Sequence, residues 1–159
     1  MNAKVLVCLL NWNQEHFTIR AVEALKKQSY KNFEILLIDN GSEDFNEDLC
    51  DRPPQNLICV KLPRNIGAAG GRNIGIKYFL NWEWEYLFFL DNDAVPTENC
   101  LEELLSTFEK YKDVGVVSAK VLYLNQPNII WCAGGGKFNW LKGKFYGSRQ
   151  GENDARLTL

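Results

Sequence analysis

The first two thirds of the chain alternates short apolar runs with stretches of helical spacing. Four runs are almost continuously apolar and rich in branched or aromatic residues, so they predict strands that are buried on both faces. These predicted strands are residues 5–10, 33–38, 57–62 and 86–90. Strands that alternate with helices are typical of β-α-β units. The pattern therefore predicts an α/β fold with a mostly parallel central sheet, helices on both sides, and a reversal of strand order between the first and fourth strands.

Apolar residues at helical spacing predict three helices within this pattern. The first carries apolar residues on one face over 17–25, and the second runs from about residue 68 to residue 81. The third follows Thr97, which is a good N-cap residue. Residues 44–50 are interpreted as a short helical or irregular crossover, and residues 114–122 as a further strand.

Composition and charge narrow the class of protein. The 159 residues are 46% hydrophobic and 24% charged, which is typical of one soluble globular domain over residues 1–159. Eighteen basic and 20 acidic residues give a net charge of −2, so no global field favours a nucleic acid partner. The longest uncharged apolar run near the N-terminus, residues 5–10, is far too short to cross a bilayer. No transmembrane segment is therefore expected.

The cysteines and the histidine carry no metal or nucleophile pattern. The five cysteines are an odd number and include no C-x-x-C pair, so neither a zinc site nor a disulfide framework is expected. Cys8 and Cys59 lie inside apolar runs, where a reduced thiol behaves as a small hydrophobic group, and this predicts a cytoplasmic location. His16 has no Ser or Cys partner at motif spacing, so it is interpreted as a loop or helix-start residue.

Residues 130–151 form a basic and aromatic stretch without one acidic residue. Its cations and interleaved rings are Lys137, Phe138, Trp140, Lys142, Lys144, Phe145, Tyr146 and Arg149. One interpretation is a hairpin with solvated lysines. The other is a docking face for a sugar acceptor or for an anionic membrane surface. The membrane interpretation predicts peripheral contact with the inner face of a membrane.

Each predicted strand ends in a compact polar motif. The four motifs are Asn11-Trp12-Asn13, Asp39-Asn40-Gly41-Ser42, Arg64-Asn65-Ile66-Gly67 and Asp91-Asn92-Asp93. In a parallel sheet the carboxyl ends of all four strands lie along one edge, and ligands bind there near the point where strand order reverses. Asn, Asp and Gly also form turns. Four such motifs on one edge nevertheless indicate a binding site.

Three of these motifs carry residues suited to a nucleotide diphosphate. Asp91 and Asp93 are two residues apart on extended backbone, so their side chains point the same way and form half of a site for Mg²⁺ or Mn²⁺. The small residues 67–71 open a helix whose N-terminal amides favour an anion, and Arg72 adds a bidentate phosphate contact. Asp39 can accept a hydrogen bond from ribose or from a base N–H, which leaves uracil, thymine and guanine open.

Other interpretations of these motifs predict different chemistry. Tight packing of a helix against a strand explains the glycine run, taken alone, equally well. A dinucleotide-binding oxidoreductase also places an acid at the end of its second strand, but it needs glycines after the first strand. This sequence has Asn11-Trp12-Asn13 there, which argues against a nicotinamide cofactor and equally against a sugar-nucleotide pyrophosphorylase.

The motifs together resemble those of the family 2 glycosyltransferases of the GT-A fold, especially the branch of rhamnosyl- and galactofuranosyl-type transferases. The resemblance rests on the strand-end motifs, on Gln28-x-Tyr30 before Glu34-Ile35, on residues 65–75 and on Phe89-Leu90-Asp91-Asn92-Asp93-x-x-Pro96. It implies a Rossmann-like three-layer sandwich. It also implies metal-assisted transfer of a sugar, with inversion, from a nucleotide diphosphate donor to a hydroxyl of a glycan or lipid-linked glycan, as in polysaccharide biosynthesis.

The resemblance assigns roles to single residues. The residues implied for nucleotide binding are Asn11, Asn13, Asp39, Asn65, Gly67, Arg72 and Asp91. Among them, Asp39 reads the base, and Arg72 with the segment from Asn65 supports the diphosphate. Asp91 touches ribose or metal-bound water, and Asp93 is the ligand of the divalent metal, Mn or Mg.

The catalytic base is not assigned by the resemblance. Attack on the anomeric carbon needs a carboxylate that takes the acceptor proton. In the family this base lies well beyond the D-x-D motif, but after Asp113 this sequence has only Glu152 and Asp154, and neither sits in the family's acidic motif. We therefore expect the base beyond Leu159, so that the chain lacks the acceptor half or is a shortened relative. A catalytically silent nucleotide-diphosphate-binding module is the alternative.

Overall fold

The computed structural model describes residues 2–45, 50 and 56–154, and most of the predicted crossover over 44–50 lies outside them. The chain forms two compact units, Met1–Leu101 and Glu102–Leu159. The described elements, in chain order, are β1 (Val5–Asn11), α1 (Glu15–Lys26), β2 (Phe33–Asp39), β3 (Leu57–Lys61), α2 (Gly67–Leu80), β4 (Tyr86–Asp91), α3 (Cys100–Lys110), β5 (Lys120–Tyr123), β6 (Gln126–Ala133), β7 (Gly136–Asn139) and β8 (Lys144–Gly147). A single domain over residues 1–159 stays a prediction.

The first unit is built on one parallel sheet. Its strands lie in the order β3-β2-β1-β4, and all three pairings are parallel. The chain therefore moves outward from β1 to β3 and then returns to the other side of β1, which confirms the reversal predicted between the first and fourth strands. The register sets Asn11 beside Asp39 and Leu10 beside Asp91, so the carboxyl ends of three strands are level.

Helices cover both faces of this sheet. Side chains alternate along a strand, so even and odd residues of β1 face opposite sides. On the even side, Leu6 and Cys8 form a buried cluster with β2, against which Ile74 and Tyr78 of α2 pack. On the odd side, the Asn11 side chain accepts a hydrogen bond from Thr18 of α1. The predicted α/β fold with a mostly parallel central sheet is confirmed.

Two glycines let α2 approach the sheet closely. Gly71 and Gly75 are the buried residues of α2. A Cβ at Gly71 would overlap the Leu10 side chain, and a Cβ at Gly75 would overlap the Cys8 sulfur. Tight helix–strand packing therefore accounts for Gly71 and Gly75. It does not account for Gly67 and Gly70, the other two glycines of the run 67–71, at the start of α2.

We expect Gly75→Ala to destabilise the protein by about 1 to 2 kcal/mol, because overpacking of a filled core outweighs the better helix propensity of alanine. Denaturant unfolding measures this difference. Gly70→Ala is the matched control, since its Cβ meets only the exposed Ile66 side chain and it should be neutral or stabilising. The double variant Cys8→Ala/Gly75→Ala removes the overlapping sulfur and should recover part of the loss. A Gly75→Ala protein as stable as Gly70→Ala would contradict this packing.

Cys8 makes the core sensitive to alkaline pH. Burial raises the pKa of its thiol from 9.0 to about 11, with a smaller opposing effect of Arg72. Since the folded pKa exceeds the unfolded one, the thiol contributes stability that is fully present below pH 9 and is lost as pH rises toward 11. We expect the free energy of unfolding to fall by about 1 kcal/mol between pH 9 and pH 10 from this group. In Cys8→Ala, the free energy of unfolding should fall by about 1 kcal/mol less between pH 9 and pH 10 than in the unchanged protein. An equal fall in both proteins would refute this assignment.

The structure contains one disulfide, between Cys50 and Cys59. The sequence-based expectation that no disulfide framework forms is therefore wrong for this pair. The residues are nine apart, and Cys59 lies on β3, the outer strand of the sheet. Sequence spacing did not indicate the pair, because pairing depends on where the fold places the two sulfurs and the sequence alone does not give the connectivity of cysteines. Cys8, Cys100 and Cys132 are free thiols.

The start of α3 differs from the prediction. The helix begins at Cys100, whose backbone N–H donates to the Thr97 carbonyl (3.0 Å) in a preceding turn, so Thr97 is not the N-cap. The fully buried side chain of Gln28 takes over this function. Its amide donates to the Thr97 carbonyl (2.7 Å), and its oxygen accepts from the Leu101 N–H (3.0 Å). A side chain 73 residues away in sequence therefore satisfies the helix start.

The second unit contains two antiparallel strand pairs. β5 pairs with β6 and β7 pairs with β8, so the basic stretch contains the predicted hairpin, and the interpretation of this hairpin as a docking face stays a prediction. The strand predicted over 114–122 is wrong in extent, because β5 begins only at Lys120. Val114 and Val116 are exposed, so this part of the apolar run gains no burial from pairing. No helix among the described residues combines the length and apolar character that crossing a bilayer requires.

Candidate functional site

The strand-end motifs of the first unit meet at the carboxyl edge of the sheet. β1 ends at Asn11, β2 at Asp39 and β4 at Asp91, and the loop after β3 leads into α2 at Gly67. This edge includes the switch point between β1 and β4, where open α/β folds bind their ligands.

Asp39 is held in one orientation by neighbouring donors. Its Oδ1 accepts from the Asn11 amide (2.9 Å) and from the Ser42 hydroxyl (2.5 Å), and its Oδ2 accepts from the Ser42 backbone N–H (3.2 Å). The residue is buried. A carboxylate has about four acceptor positions. The three donors therefore fix the direction of the carboxylate and leave one acceptor position without a protein donor among the described residues.

Asn11 connects Asp39 to other buried polar side chains by hydrogen bonds. Besides donating to Asp39, its side chain accepts from the Thr18 hydroxyl (2.8 Å) and from the Asn92 amide (3.5 Å). The Asn92 amide also donates to Thr18 (3.2 Å), so the D-x-D turn and α1 are linked to Asp39. Asn11 is buried, and its amide fixes one of the hydrogen bonds that hold Asp39.

Sequence reasoning did not single out Thr18 and Asn92. The available signal for Thr18 was a polar residue on the buried face of α1, among Ala21, Val22 and Leu25. Asn92 belongs to the strand-end motif Asp91-Asn92-Asp93, but the sequence does not indicate its partners, which lie 74 and 81 residues away.

A cleft of about 380 Å³ opens beside this network. Its lining residues are Asn11, Asn13, Glu15, His16, Ser42, Glu43, Asp44 and Phe45. Asn13 has a positive φ of 52°, and its side-chain oxygen accepts from the Glu43 N–H (3.0 Å), which ties the two loops together. His16 is the second residue of α1, as expected, and also lines the cleft. Glu15 is one of the lining residues, and its Oε1 atom is buried without a hydrogen-bond partner among the described residues.

The loop before α2 is organised by Asn40. Its amide donates to the Asn65 side chain (3.0 Å), and its oxygen accepts from the Ile66 N–H (3.1 Å). The Asn65 oxygen also accepts from the Gly67 N–H (2.7 Å). Gly67 has a φ of 78°, which favours glycine. The structure thus places Asn65 and Gly67 at the start of α2, with the Asn65 oxygen bonded within the loop.

Arg72 and Asp91 form an ion pair. The Arg72 Nη2 atom donates to Asp91 Oδ1 at 2.5 Å, and the two side chains are 43% and 68% exposed. An ion pair this exposed contributes about 1 kcal/mol or less, so a diphosphate could exchange with the carboxylate at little cost. The ion pair joins two residues for which the sequence predicted different partners, the diphosphate for Arg72 and ribose or metal-bound water for Asp91.

The geometry of the D-x-D turn differs from the extended backbone assumed from the sequence. β4 ends at Asp91, and the Ala94 N–H donates to the Asp91 carbonyl (3.0 Å), so Asp93 lies in a turn. The alternation argument for parallel Asp91 and Asp93 side chains is therefore wrong. Asp93 is exposed. Among the described residues no group of three or more His, Cys, Asp or Glu side chains is placed to hold a metal ion.

The parallel sheet with helices on both faces and the acidic turn after β4 are those of a GT-A-like fold. The profile of "Glycosyl transferase family 2" matches residues 6–154, and the chain belongs to this family.

Curated relatives agree with this assignment. The chain is 32% identical over 120 residues to glycosyltransferase GlyG of Streptococcus pneumoniae, covering 74% of this chain and 38% of that protein. It is 28% identical over 119 residues to the minor teichoic acid biosynthesis protein GgaB of Bacillus subtilis, covering 70% of this chain and 13% of that protein. The chain thus spans less than two fifths of the length of these relatives.

Solved structures share the fold. The S. aureus TarS fragment 1–349 in complex with UDP-GlcNAc matches with a TM-score of 0.59 and 22% identity, over 77% of this chain and 41% of that one. The mannosyltransferase PcManGT from Pyrobaculum calidifontis, in complex with GDP-Man and Mn²⁺, matches with a TM-score of 0.57 and 20% identity, over 72% of this chain and 34% of that one.

Proposed function

We propose that this chain forms the donor-binding part of an inverting, metal-assisted glycosyltransferase that uses a nucleotide diphosphate sugar. The observation that carries the proposal is the Asp39 carboxylate, which three protein donors fix at the switch-point edge while one acceptor position stays available. A single N–H donor of a base or a ribose hydroxyl can occupy that position. Glu15, which lines the adjacent cleft, has a buried Oε1 atom without a partner among the described residues, and a ligand donor that reaches this atom would satisfy it.

The remaining site residues are suited to the diphosphate. Arg72 exchanges its exposed pairing with Asp91 for a phosphate, and the amides that follow Gly67 stabilise negative charge at the start of α2. Asp93 and Asp91 would hold Mg²⁺ or Mn²⁺, which supplies positive charge to the departing diphosphate when bound. Release of Asp91 from Arg72 frees the Oδ1 atom for this purpose.

The catalytic base stays a prediction beyond Leu159. The two carboxylates considered for this role are engaged elsewhere in the second unit. Glu152 pairs with Arg149 at 2.8 Å, and the buried Asp154 pairs with Lys120. A catalytically silent nucleotide-diphosphate-binding module stays the second candidate function.

The finer assignments are part of the same proposal. We propose a donor from the rhamnosyl- and galactofuranosyl-type branch, on the strength of the motifs from Asn65 to Gly75, and a glycan or lipid-linked glycan acceptor. A cytoplasmic location stays part of the proposal: the free thiols Cys8, Cys100 and Cys132 agree with a reducing compartment, whereas the Cys50–Cys59 disulfide does not. TarS bound to UDP-GlcNAc and PcManGT bound to GDP-Man make uridine and guanosine nucleotides the probes of choice.

Titration calorimetry tests the proposal. UDP, dTDP, GDP and NADH are titrated into the chain with and without Mn²⁺. We expect one nucleoside diphosphate to bind, Mn²⁺ to strengthen that binding, and NADH not to bind. Binding of NADH, or no nucleoside diphosphate binding with Mn²⁺ present, would overturn it. Turnover of the corresponding nucleotide sugar distinguishes the transferase from the silent module.

A further inference from the structure

The β7–β8 hairpin has two chemically different faces. Phe138 lies opposite Phe145, while the neighbouring pairs place Lys137, Tyr146 and Lys144 on the other face. Both phenylalanines are about half exposed. One face of the hairpin therefore carries two phenylalanines, and the other carries two lysines and a tyrosine.

The hairpin tip, residues 138–145, continues this pattern into the turn. Trp140 is 86% exposed and Leu141 is fully exposed. The Trp140 ring packs edge-on against Phe138, with their centroids 4.6 Å apart, so the indole extends the aromatic face. Lys142 follows directly. The tip thus projects a tryptophan and a leucine into solvent between cationic residues.

We propose that the hairpin tip inserts into the headgroup region of an anionic lipid bilayer. Tryptophan is enriched at membrane interfaces, and a fully exposed leucine beside it gains burial at the boundary with the acyl chains. The stems of Lys142 and Lys144 can lie along this boundary while their ammonium groups reach the lipid phosphates. Residues 114–151 contain no acidic residue, so nothing in this stretch opposes an anionic surface.

The exposed apolar residues and lysines of the hairpin tip fit a sugar acceptor or a second copy of the chain less well than a bilayer. A sugar acceptor is recognised by paired hydrogen-bond donors and acceptors as well as by an aromatic ring, and Leu141 supplies neither. A second copy of the chain would bring Lys137, Lys142 and Lys144 of two hairpins together, and like charges at close range oppose such contact. The bilayer is the occupant that uses both the apolar tip and its cations.

Vesicle co-sedimentation of the whole chain tests the proposal. The vesicles are phosphatidylcholine alone or phosphatidylcholine with one third phosphatidylglycerol, at low and high salt. We expect binding to the anionic vesicles only, weakening as salt rises. No binding to anionic vesicles, or equal binding to both compositions, would overturn it.

Two pairs of variants locate the contact. Trp140→Ser/Leu141→Ser should weaken binding about tenfold or more, because it removes the inserting apolar area. Trp82→Ser is its control, since Trp82 is 63% exposed in the first unit and outside the hairpin. Lys142→Glu/Lys144→Glu should also weaken binding at least about tenfold, since each lysine near an anionic surface contributes about fivefold. Lys112→Glu, an exposed lysine outside the hairpin, is the matched charge control.

The folded state of each variant is checked by circular dichroism, and the changed side chains are exposed, so folding should be preserved. Binding that survives Trp140→Ser/Leu141→Ser, or falls equally in Trp82→Ser, would overturn the assignment. So would a dimer that this double variant dissociates in light scattering. A tryptophan emission shift caused by a soluble oligosaccharide and not by anionic vesicles would identify a sugar platform instead.

Discussion

The Asp39→Asn protein is expected to bind its nucleoside diphosphate about 10- to 150-fold more weakly than the unchanged chain, with and without Mn²⁺. The amide keeps the shape of the carboxylate but removes its charge and replaces one acceptor oxygen by a donor. A hydrogen bond to a charged group contributes about 1.5 to 3 kcal/mol, which corresponds to this range. Calorimetry with and without Mn²⁺ measures both affinities.

Two further variants separate the loss of ligand contact from a general disturbance. Asp113→Asn removes an exposed carboxylate in the second unit and should leave the affinity unchanged. Ser42→Ala removes one donor to Asp39 Oδ1 and keeps the carboxylate, so it should cost only a few-fold. If Asp39→Asn bound as tightly as Asp113→Asn while melting at the same temperature, Asp39 would not contact the nucleotide.

The second large effect concerns Asp93. In the unchanged chain, Mn²⁺ and the nucleoside diphosphate should strengthen each other's binding about 5- to 150-fold, the usual range for coupled ligands. Asp93→Ala should reduce this factor to about one and leave metal-free nucleotide binding intact. The coupling must be the same measured from either ligand, so titrating Mn²⁺ with saturating nucleotide provides an independent measurement.

Exposure makes Asp93→Ala a clean variant. The side chain lies in a solvent-exposed turn, so its removal leaves no buried group unpaired and the melting temperature should stay within a degree or two. Asp113→Ala again serves as the exposed control. Persistence of the full Mn²⁺ dependence in Asp93→Ala would show that other groups hold the metal, and parallel losses with and without Mn²⁺ would make Asp93 a direct nucleotide contact.

The elements of the sheet were predictable because their signal is local. Each buried parallel strand needs apolar residues on both faces, so β1 to β4 could be located within one residue of their ends. The same logic failed for residues 114–119, where an apolar run has no sheet to enter. The prediction that Thr97 caps α3 was also wrong. A capping residue competes with any buried side chain that reaches the same helix start, and Gln28, far away in the sequence, reaches this one.

For the candidate site too, the sequence predicted part of the arrangement and the tertiary structure decided the rest. The sequence by itself determined that Asn11, Asp39 and Asp91 end parallel strands and therefore share one edge, since strand direction and side-chain alternation follow from the apolar pattern. Only the tertiary structure decided what these side chains do there. It turned Asn11 into the buried support of Asp39 and paired Arg72 with Asp91. Hydrogen bonds join whichever donors and acceptors the packed chain brings within about 3 Å, and at separations of 19 to 81 residues that depends on helix placement and strand order, which local pattern does not encode.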